Sequence, residues 1–393
     1  MPDVRPVGAR RLALVVHLGM ALTGVVTTLL GPLLPFLAAR WHLADAHAGA
    51  LFSAEFAGTL CAVTLSGRLL RARGFVDTIL IGLGLAAVGV SALSVTGFQG
   101  GLLASLTFGF GLGLTGPGFN IWIAETQPHR RAAALSLLNM AWAAGATSAP
   151  TVVALLAGRG WLDGFLPGLA LLLVLTAGLL ALAARRVARS RPTTEPTPGA
   201  ALPAGFWRGW RPLVFAGVFF LYVGIEHALG GWAATAAQRL ATDGAPVAAA
   251  VTSFFWGALV LGRGLVPLLV KRFDEARVAF GSLVASTLGI AALLAAGTPR
   301  GVAVAVTVVG AGLAPIFPVT MALLSHAFGA RAASVAGPMF GLGALGGAIV
   351  PWLVGLISTR TGSLRAGLGV TLAGALVLLA LYHVVQRAPR HAD

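Results

Sequence analysis

Residues 212–238 read PLVFAGVFFLYVGIEHALGGWAATAAQ, a stretch in which the carboxylate of Glu226 is the only formal charge. A segment of this length and apolarity can cross the hydrocarbon core of a membrane as a helix. We expect helices rather than strands, because a membrane-spanning strand is about half as long and alternates apolar with polar residues. An acidic side chain in the middle of such a helix costs roughly 2.5–3.5 kcal/mol. Glu226 therefore needs a partner, water or a proton.

The composition of the whole chain indicates a membrane protein. Of its 393 residues, 57% are hydrophobic and 10% are charged, whereas a soluble domain carries about 25% charged residues. Apolar segments of spanning length recur throughout, and we predict an all-α membrane protein with twelve transmembrane helices. Their approximate ranges are 12–39, 46–67, 75–98, 101–124, 132–157, 164–184, 212–237, 247–270, 278–296, 302–327, 332–357 and 366–385.

Arginine is concentrated on one side of the predicted spans. With the N-terminus inside, the even-numbered loops and both tails carry most of the basic residues of a chain whose net charge is +15. This positive-inside asymmetry predicts a multi-pass protein of a cell membrane, of the bacterial plasma-membrane type, with both termini in the cytoplasm. The lipid bilayer is then the partner of the basic loops, and we expect no nucleic-acid partner.

A polar connection divides the predicted spans into two sets of six. Residues 185–211 contain the run RPTTEPTPG, whose proline, threonine and charge are typical of a flexible linker. We therefore predict an N-terminal six-helix half at 1–184, a cytoplasmic linker at 185–211 and a C-terminal six-helix half at 212–393.

The two predicted halves are similar to each other at an offset of about 200 residues. The matches are GLGL at 111–114 with GAGL at 310–313, RAA at 131–133 with RAA at 331–333, and Pro150 with Pro351. Similarity at a fixed offset between two six-helix halves is typical of a duplicated transporter fold.

The loop after the second predicted span carries a family motif. Gly67 and Gly74 have the spacing of the two glycines in the loop motif of the major facilitator superfamily, which the chain resembles over nearly its whole length. Arg71 stands where that motif has an acid, so the charge relay of the family's loop is not carried over. Three further stretches resemble the fucose permease-type sugar–proton symporters and their relatives: GLTGPGFN at 113–120 with Glu125, YVGIE at 222–226 continuing to Trp232, and GLAPIFP at 312–318.

The resemblance implies a secondary active transporter that works by alternating access. It implies two six-helix pseudo-repeat halves in which spans 1, 4, 7 and 10 line a central cavity, and a monomer as the default state. Pro117, Pro315 and Pro318 lie in the fourth and tenth spans. Proline frees a backbone carbonyl and bends a helix, so we predict hinges or kinks at these three positions.

Polar and aromatic residues within the predicted spans are the candidates for solute binding. Asparagine can donate to and accept from a pair of sugar hydroxyls, and an aromatic ring suits the apolar face of a sugar. The alternatives are hydrogen bonds between helices and ordinary packing. His227 is about 100° around the helix from Glu226, so the two side chains cannot both point fully into one cavity. The candidates are Asn120, Asn139, Trp142, Trp232, Trp256, Phe317 and His227.

Two acids are candidates for proton coupling. Glu226 lies deepest in its span, and we expect it to bind and release a proton during the transport cycle. Glu55 lies midway along the second predicted span and could serve coupling or gating. The rival interpretation makes Glu226 one member of a permanent ion pair with Arg263 of the eighth predicted span.

The sequence lacks the parts of an enzyme. No nucleoside triphosphate motif, nucleophile elbow or metal-ligand spacing is present, and Cys61 is the only cysteine. We therefore predict no catalytic residues, cofactor or metal. The expected function is proton-coupled symport of a sugar or similar small polar solute. The alternative is proton-driven efflux of drugs or metabolites, although residues 145–150, GATSAP, keep the antiporter signature of the fifth span poorly.

Overall fold

The structure, a computed structural model, describes residues 7–127, 130–184, 205–241 and 247–387. Most of the predicted linker, residues 185–204, lies outside this part of the chain. The described residues form no strand, and the predicted all-helical class is confirmed. The α-helices are α1 Val7–Thr27, α2 Leu30–Trp41, α3 Asp45–Val95, α4 Phe98–Thr126, α5 Arg131–Gly158, α6 Leu162–Ala184, α7 Trp210–Gln238, α8 Val247–Leu269, α9 Glu275–Ala295, α10 Pro299–Leu313, α11 Ile316–Phe328, α12 Ala332–Thr361 and α13 Leu364–Arg387.

The helices of the described residues are long and apolar enough for a multi-pass membrane protein. Ten have the length and composition of a membrane span, with α10 and α11 counted together, and the count reaches eleven if the bent pair α1–α2 is one span. The bend between α1 and α2 is 46°. The difference from the twelve predicted spans arises at α3, which covers both the second and the third predicted span. The twelve-span arrangement therefore remains a prediction.

The backbone of α3 changes direction at Gly74. Its φ of 83° and ψ of 176° lie outside the helical region, within a helix that otherwise runs for 51 residues. Residues with a side chain rarely adopt such a positive φ, whereas glycine does so at little cost. The second glycine of the loop motif is thus required by the local backbone conformation.

The three prolines predicted as hinges have different surroundings. Pro315 lies in the break between α10 and α11, and Pro318 lies in the first turn of α11, where a missing backbone N–H leaves no helical hydrogen bond unmade. Pro117 lies inside α4, which continues past it to Thr126. A hinge role for any of the three remains a prediction.

The chain divides into two compact units. Unit 1 comprises Met1–Leu30 and Ala54–Glu195, and unit 2 comprises Gly31–Ser53 and Pro196–Asp393. Residues 31–53 belong to unit 2 through several contacts: Arg239 binds Asp45 with nitrogen–oxygen distances of 2.5 and 2.9 Å, and the amide of Ala46 donates to Thr359 at 2.8 Å. Ser53 donates to the carbonyl of Ala348 at 2.7 Å. The boundaries predicted for the two halves are not tested by this division.

Glycines let helices pack closely in each unit, and the contacts recur at a constant offset. In unit 1, Gly109 lies against the carbonyl of Glu55 and Gly111 against that of Gly82. In unit 2, Gly310 lies against the carbonyl of Phe255 and Gly312 against that of Ser282. The partners are 200 residues apart (55 to 255 and 82 to 282), and the glycines are 201 apart.

A second pair of helices repeats the same pattern. Gly145 of α5 lies against the carbonyl of Ala21 in α1, and Gly346 of α12 lies against the carbonyl of Phe220 in α7. These contacts pair Gly109 with Gly310 and Gly111 with Gly312. The sequence comparison paired Gly111 and Gly113 with the same two glycines, so the predicted register was wrong by two residues. Glycine recurs at every second position of this run, so the sequence alone did not fix the alignment.

Candidate functional site

The candidate site is centred on two buried side chains of α7. Tyr222 and Glu226 are one helical turn apart, and residues at this spacing lie on the same face of a helix. Their exposed fractions are 3% and 6%. The hydroxyl of Tyr222 donates a hydrogen bond to Oε2 of Glu226.

Arg263 of α8 completes a cluster of three residues. Its Nη2 donates to the hydroxyl oxygen of Tyr222 at 2.9 Å and lies 3.3 Å from Oε2 of Glu226. Leu259 and Val266, on the same face of α8, are buried, whereas Leu261 and Leu265 are mostly exposed. The guanidinium group therefore points into unit 2 rather than along the outer apolar face of α8. We call Tyr222, Glu226 and Arg263 the charge cluster.

The charge cluster balances one buried carboxylate with one guanidinium. Each charge would be costly alone in an apolar environment, and pairing with further hydrogen bonds offsets much of that cost. Tyr222 supplies such bonds, because it donates to the acid and accepts from the base. The cluster can therefore respond to one added proton or one added anion by rearranging its hydrogen bonds.

Arg263 has unused hydrogen-bonding capacity. Its side chain is 33% exposed, compared with 8% for that of Glu226. Its hydrogen bonds to described residues all come from Nη2, and its Nε is buried without a partner in the described part of the chain. A guanidinium group has five N–H donors, and the two donors of Nη1 have no partner among the described residues.

Aromatic rings lie beside the charge cluster. The guanidinium carbon of Arg263 is 5.9 Å from the ring centroid of Phe317, a distance that allows a cation–π interaction. The Phe317 ring also lies 6.2 Å from the ring of Tyr222, and it stacks on that of Phe340 at 6.2 Å. Phe340 is 44% exposed. Among the predicted solute-binding residues, Phe317 therefore contacts two members of the charge cluster, Arg263 and Tyr222.

Three other predicted residues of unit 2 lie in packed surroundings. Trp232 is fully buried, and its indole nitrogen donates to the carbonyl of Pro351 at 3.0 Å. Trp256 is 3% exposed, and its ring lies 6.0 Å from that of His227. Nδ1 of His227 lies 2.9 Å from the carbonyl oxygen of Val223. These contacts fit packing and helix–helix bonding, the alternatives considered for the same residues.

The two asparagines of unit 1 lie together. Nδ2 of Asn139 is 3.5 Å from Oδ1 of Asn120 and donates to the carbonyl of Leu135 at 2.8 Å. Asn120 donates to the carbonyl of Gly116 at 2.9 Å. Asn139 is exposed, and Asn120 and Trp142 are half-buried. All three keep surface that a solute could contact.

Glu55 is the second buried acid of the described chain. It is 5% exposed, and the backbone at this position packs on Gly109. Its carboxylate forms no hydrogen bond or ion pair with the described residues. Glu55 and Glu226 thus differ in kind, since one lacks partners in the described structure and the other has two.

The sequence did not predict every member of the site. Tyr222 lay in a quoted stretch without a role, although its spacing of four residues before Glu226 was a usable signal. Phe340 carried no local signal, because its position depends on how α12 packs in unit 2. Within the described residues, no group of three or more His, Cys, Asp or Glu side chains could hold a metal ion.

Comparison with known proteins extends these findings. The sequence model of the Major Facilitator Superfamily matches residues 16–337. No curated protein matches the chain by sequence. Solved structures with a similar fold include the nucleoside transporter NupG, with a TM-score of 0.78, 16% identity and coverage of 98% of this chain and 100% of that chain.

Two further structures show the same fold. A D-xylose–proton symporter has a TM-score of 0.75 and 18% identity, with coverage of 97% of this chain and 98% of that chain. A bacterial homologue of the human lysosomal transporter Spinster, in an inward-facing and occupied conformation, has a TM-score of 0.77 and 16% identity, with coverage of 98% of each chain.

Proposed function

The chain belongs to the major facilitator superfamily and is a membrane transporter, and from this premise we propose proton-coupled symport of a small polar solute. The observation that carries the proposal is the charge cluster, in which Glu226 bonds both Tyr222 and Arg263. A neutral glutamic acid can keep its hydrogen bond with Tyr222, and an ionised one gains the ion pair with Arg263. Glu226 thus has a partner in either protonation state.

The proposed membrane arrangement has twelve spans. α3 supplies two of them, since 51 residues at about 1.5 Å each far exceed the roughly 30 Å of a hydrocarbon core. The pair α1–α2 supplies one span, as does the pair α10–α11. The glycine contacts that recur at offsets of 200 and 201 residues support two six-helix repeats, at 1–184 and 212–393. The arginine distribution supports cytoplasmic termini in a bacterial-type plasma membrane.

Protonation of Glu226 is the proposed coupling step. A proton would remove the negative charge of the ion pair and weaken its hold on Arg263. Each uncompensated charge that moves through a potential of 100 mV involves about 2.3 kcal/mol, so neutralising an acid changes the cost of reorienting the protein. Glu55 is proposed as a second proton-binding acid, because its buried carboxylate has no partner in the described structure.

The proposed solute class is a sugar or a similar hydroxylated molecule. Two of the similarly folded transporters carry a pentose or a pentose-containing solute, D-xylose in one and nucleosides in the other. The paired amides of Asn120 and Asn139 and the half-buried Trp142 suit hydroxyl groups and a sugar face.

Uptake into proteoliposomes tests the proposal. An inward proton gradient should drive accumulation of at least one labelled sugar or related solute in the purified protein. Glu226→Gln should abolish accumulation and retain exchange of solute across the membrane, because a permanently neutral side chain cannot carry a proton. Asp163→Asn, which makes the same chemical change at an exposed position of α6, is the matched control and should accumulate solute normally.

Two outcomes would contradict the proposal. Accumulation by Glu226→Gln at the level of the parent would exclude Glu226 as the coupling residue. Uptake by the parent that does not depend on the proton gradient would exclude symport. Extrusion of dyes or metabolites under the same gradient would favour efflux.

A further inference from the structure

Arg263 has donors that Tyr222 and Glu226 leave unused, in a side chain that is 33% exposed. We propose that Arg263 binds the carboxylate of the transported solute, and that this solute is a hydroxylated monocarboxylate of the sugar-acid class. The inference rests on the proposed function and makes the solute more specific. Its basis is the geometry of the Arg263 guanidinium group, because Glu226 and Tyr222 use only some of its N–H donors.

The position of the free donors favours this assignment. A guanidinium group recognises a carboxylate through two parallel N–H bonds. Nη1 of Arg263 has no partner among the described residues, and Nη2 bonds Tyr222 and Glu226, so the parallel pair Nη1–Nη2 becomes available when a protonated Glu226 releases Nη2. Nε is buried, but a third of the Arg263 side chain is exposed, so a small molecule can approach the guanidinium group from its Nη1 end.

The charge of the cluster links the anion to the proton. With Glu226 ionised, the ion pair with Arg263 is neutral and an added anion would bring an excess negative charge. With Glu226 protonated, Arg263 keeps a positive charge that lacks a counter-ion in an apolar setting, which is costly. Binding of a monoanion at that moment restores neutrality. The two ligands therefore favour each other's binding.

Among the described residues that bond Arg263, Glu226 is the one carboxylic acid. The titratable side chains near Arg263 are Glu226 and Tyr222, with His227 next along α7, and the ring of His227 lies against Trp256. The neighbours from α11 and α12 are Phe317 and Phe340, which carry no charge. A single arginine matches one negative charge, so a carboxylate fits better than a doubly charged phosphate.

The aromatic rings add a second requirement. Phe317 lies under the guanidinium group, and the stacked Phe340 ring is 44% exposed. These rings offer an apolar surface next to the anion site, suited to the carbon face of a sugar ring. The combination selects a compact solute that has a carboxylate at one end and a ring or chain of hydroxylated carbons.

The inference predicts electroneutral transport. One proton and one monoanion carry no net charge, so a pH gradient should drive uptake and a membrane potential should not. Symport of a neutral sugar with one proton would instead carry one positive charge and respond to the potential.

The test compares two solutes that differ in one group. Proteoliposomes that contain the full-length protein receive labelled D-glucuronate or D-glucose, which carry a carboxylate and a hydroxymethyl group at the same carbon. A pH gradient or a valinomycin-imposed potassium potential is applied separately. We expect D-glucuronate to accumulate at least tenfold under the pH gradient, to be unaffected by the potential, and to exceed D-glucose by at least tenfold.

Substitutions of Arg263 test whether its charge and its forked donors bind the solute. Arg263→Gln should abolish D-glucuronate uptake, and Arg263→Lys should raise KM at least tenfold, because lysine keeps the charge and loses the forked donors. Arg360→Gln, at an exposed position in the last turn of α12, is the control and should leave uptake unchanged.

A second readout keeps the test decisive if Arg263→Gln fails to fold. In the parent, half-saturation for D-glucuronate exchange should weaken by up to tenfold for each unit by which the pH is raised, since one proton must bind with the anion. In Glu226→Gln this dependence should vanish and exchange should persist, because Arg263 is permanently available.

The results that overturn the inference differ from those that overturn the proposed function. Accumulation of D-glucose under the pH gradient, with no uptake of or competition by D-glucuronate, would refute the anion site and leave proton symport standing. D-glucuronate uptake that the potential drives would also refute it. Failure of both solutes, and of the wider sugar panel, to respond to the pH gradient would remove proton symport and the anion site with it.

Discussion

At the scale of single residues, the charge cluster shows how a membrane helix accommodates an acid. Glu226 is placed one turn from Tyr222 by the helix itself, and Arg263 reaches both from α8. The sequence could predict that Glu226 needs a partner and that Arg263 was a candidate, because both are rare charges within apolar segments. It assigned no role to Tyr222, although the spacing of four residues places Tyr222 and Glu226 on one face of the helix.

The hydroxyl of Tyr222 should matter for coupling. Tyr222→Phe removes a bond to the carboxylate and one to the guanidinium, so the acid in its neutral state loses its partner. We expect proton-driven accumulation to fall at least tenfold, with a stability loss of about 0.5–1.5 kcal/mol. Uptake assays and thermal melting of the purified protein measure the two effects.

The other tyrosine of the chain is the control for that change. Tyr382 is also buried, and its hydroxyl bonds Thr320 and the carbonyl of Ile316, neither of which belongs to the charge cluster. Tyr382→Phe should cost a similar amount of stability and leave accumulation unchanged. Equal accumulation by the two variants would exclude a specific role for Tyr222.

Substitutions of Glu226 and Arg263 should have non-additive effects on the free energy of unfolding. Removal of one partner leaves an uncompensated charge, at a cost of about 3–5 kcal/mol for a buried pair, and partial exposure of Arg263 reduces that figure. Removal of both partners leaves no uncompensated charge. The double variant Glu226→Gln/Arg263→Gln should therefore melt above the Arg263→Gln single variant.

A double-mutant cycle from melting temperatures measures that coupling. The pair Asp45–Arg239, in which the arginine side chain is 46% and the aspartate side chain 11% exposed, gives a comparison cycle for which we expect a smaller coupling, because the arginine is more accessible to water. Additive effects of the two cluster substitutions would contradict the electrostatic account.

At the scale of helices, small residues determine how closely the elements approach. A Cβ added at Gly109 would collide with the backbone carbonyl of Glu55, whereas one added at Gly116 of the same helix meets no atom within 4 Å. Sequence reasoning identified these glycines as packing or flexibility positions. It could not separate the two kinds, because that distinction depends on the neighbouring helix.

The two glycines of α4 provide a matched pair of substitutions. Gly109→Ala should destabilise the protein by about 1–3 kcal/mol, the usual cost of overpacking. Gly116→Ala should be neutral or slightly stabilising, because alanine is the better helix former. Melting of the purified variants compares them directly, and equal melting temperatures would contradict the close contact between α4 and the backbone at Glu55.

At two places the helix boundaries of the structure differ from the predicted ones, and a single glycine or proline accounts for each difference. The sequence predicted separate spans at 46–67 and 75–98, and the structure joins them in α3 through the positive φ of Gly74. It predicted one span at 302–327, and the structure breaks it before Pro315. Hydropathy reports where apolar segments lie, whereas turns within helical backbone depend on individual glycine and proline residues.

At the scale of the whole molecule, composition was sufficient to predict a helical membrane protein, and the family resemblance predicted a transporter. Few charges and repeated apolar segments leave little alternative, and the family match over residues 16–337 agrees. The assignment of residues 31–53 to unit 2 was not predictable. It depends on tertiary contacts such as Asp45 with Arg239, between residues far apart in the chain.

The central claim is that Glu226 carries a proton inward together with the solute. The most direct measurement is the internal pH of proteoliposomes, reported by a trapped pH-sensitive dye, when solute is added outside with no gradient imposed. The account predicts acidification of the lumen by the parent protein and none by Glu226→Gln, although that variant still exchanges solute. Equal acidification by the two proteins, or solute entry into parent vesicles without any pH change, would contradict the claim.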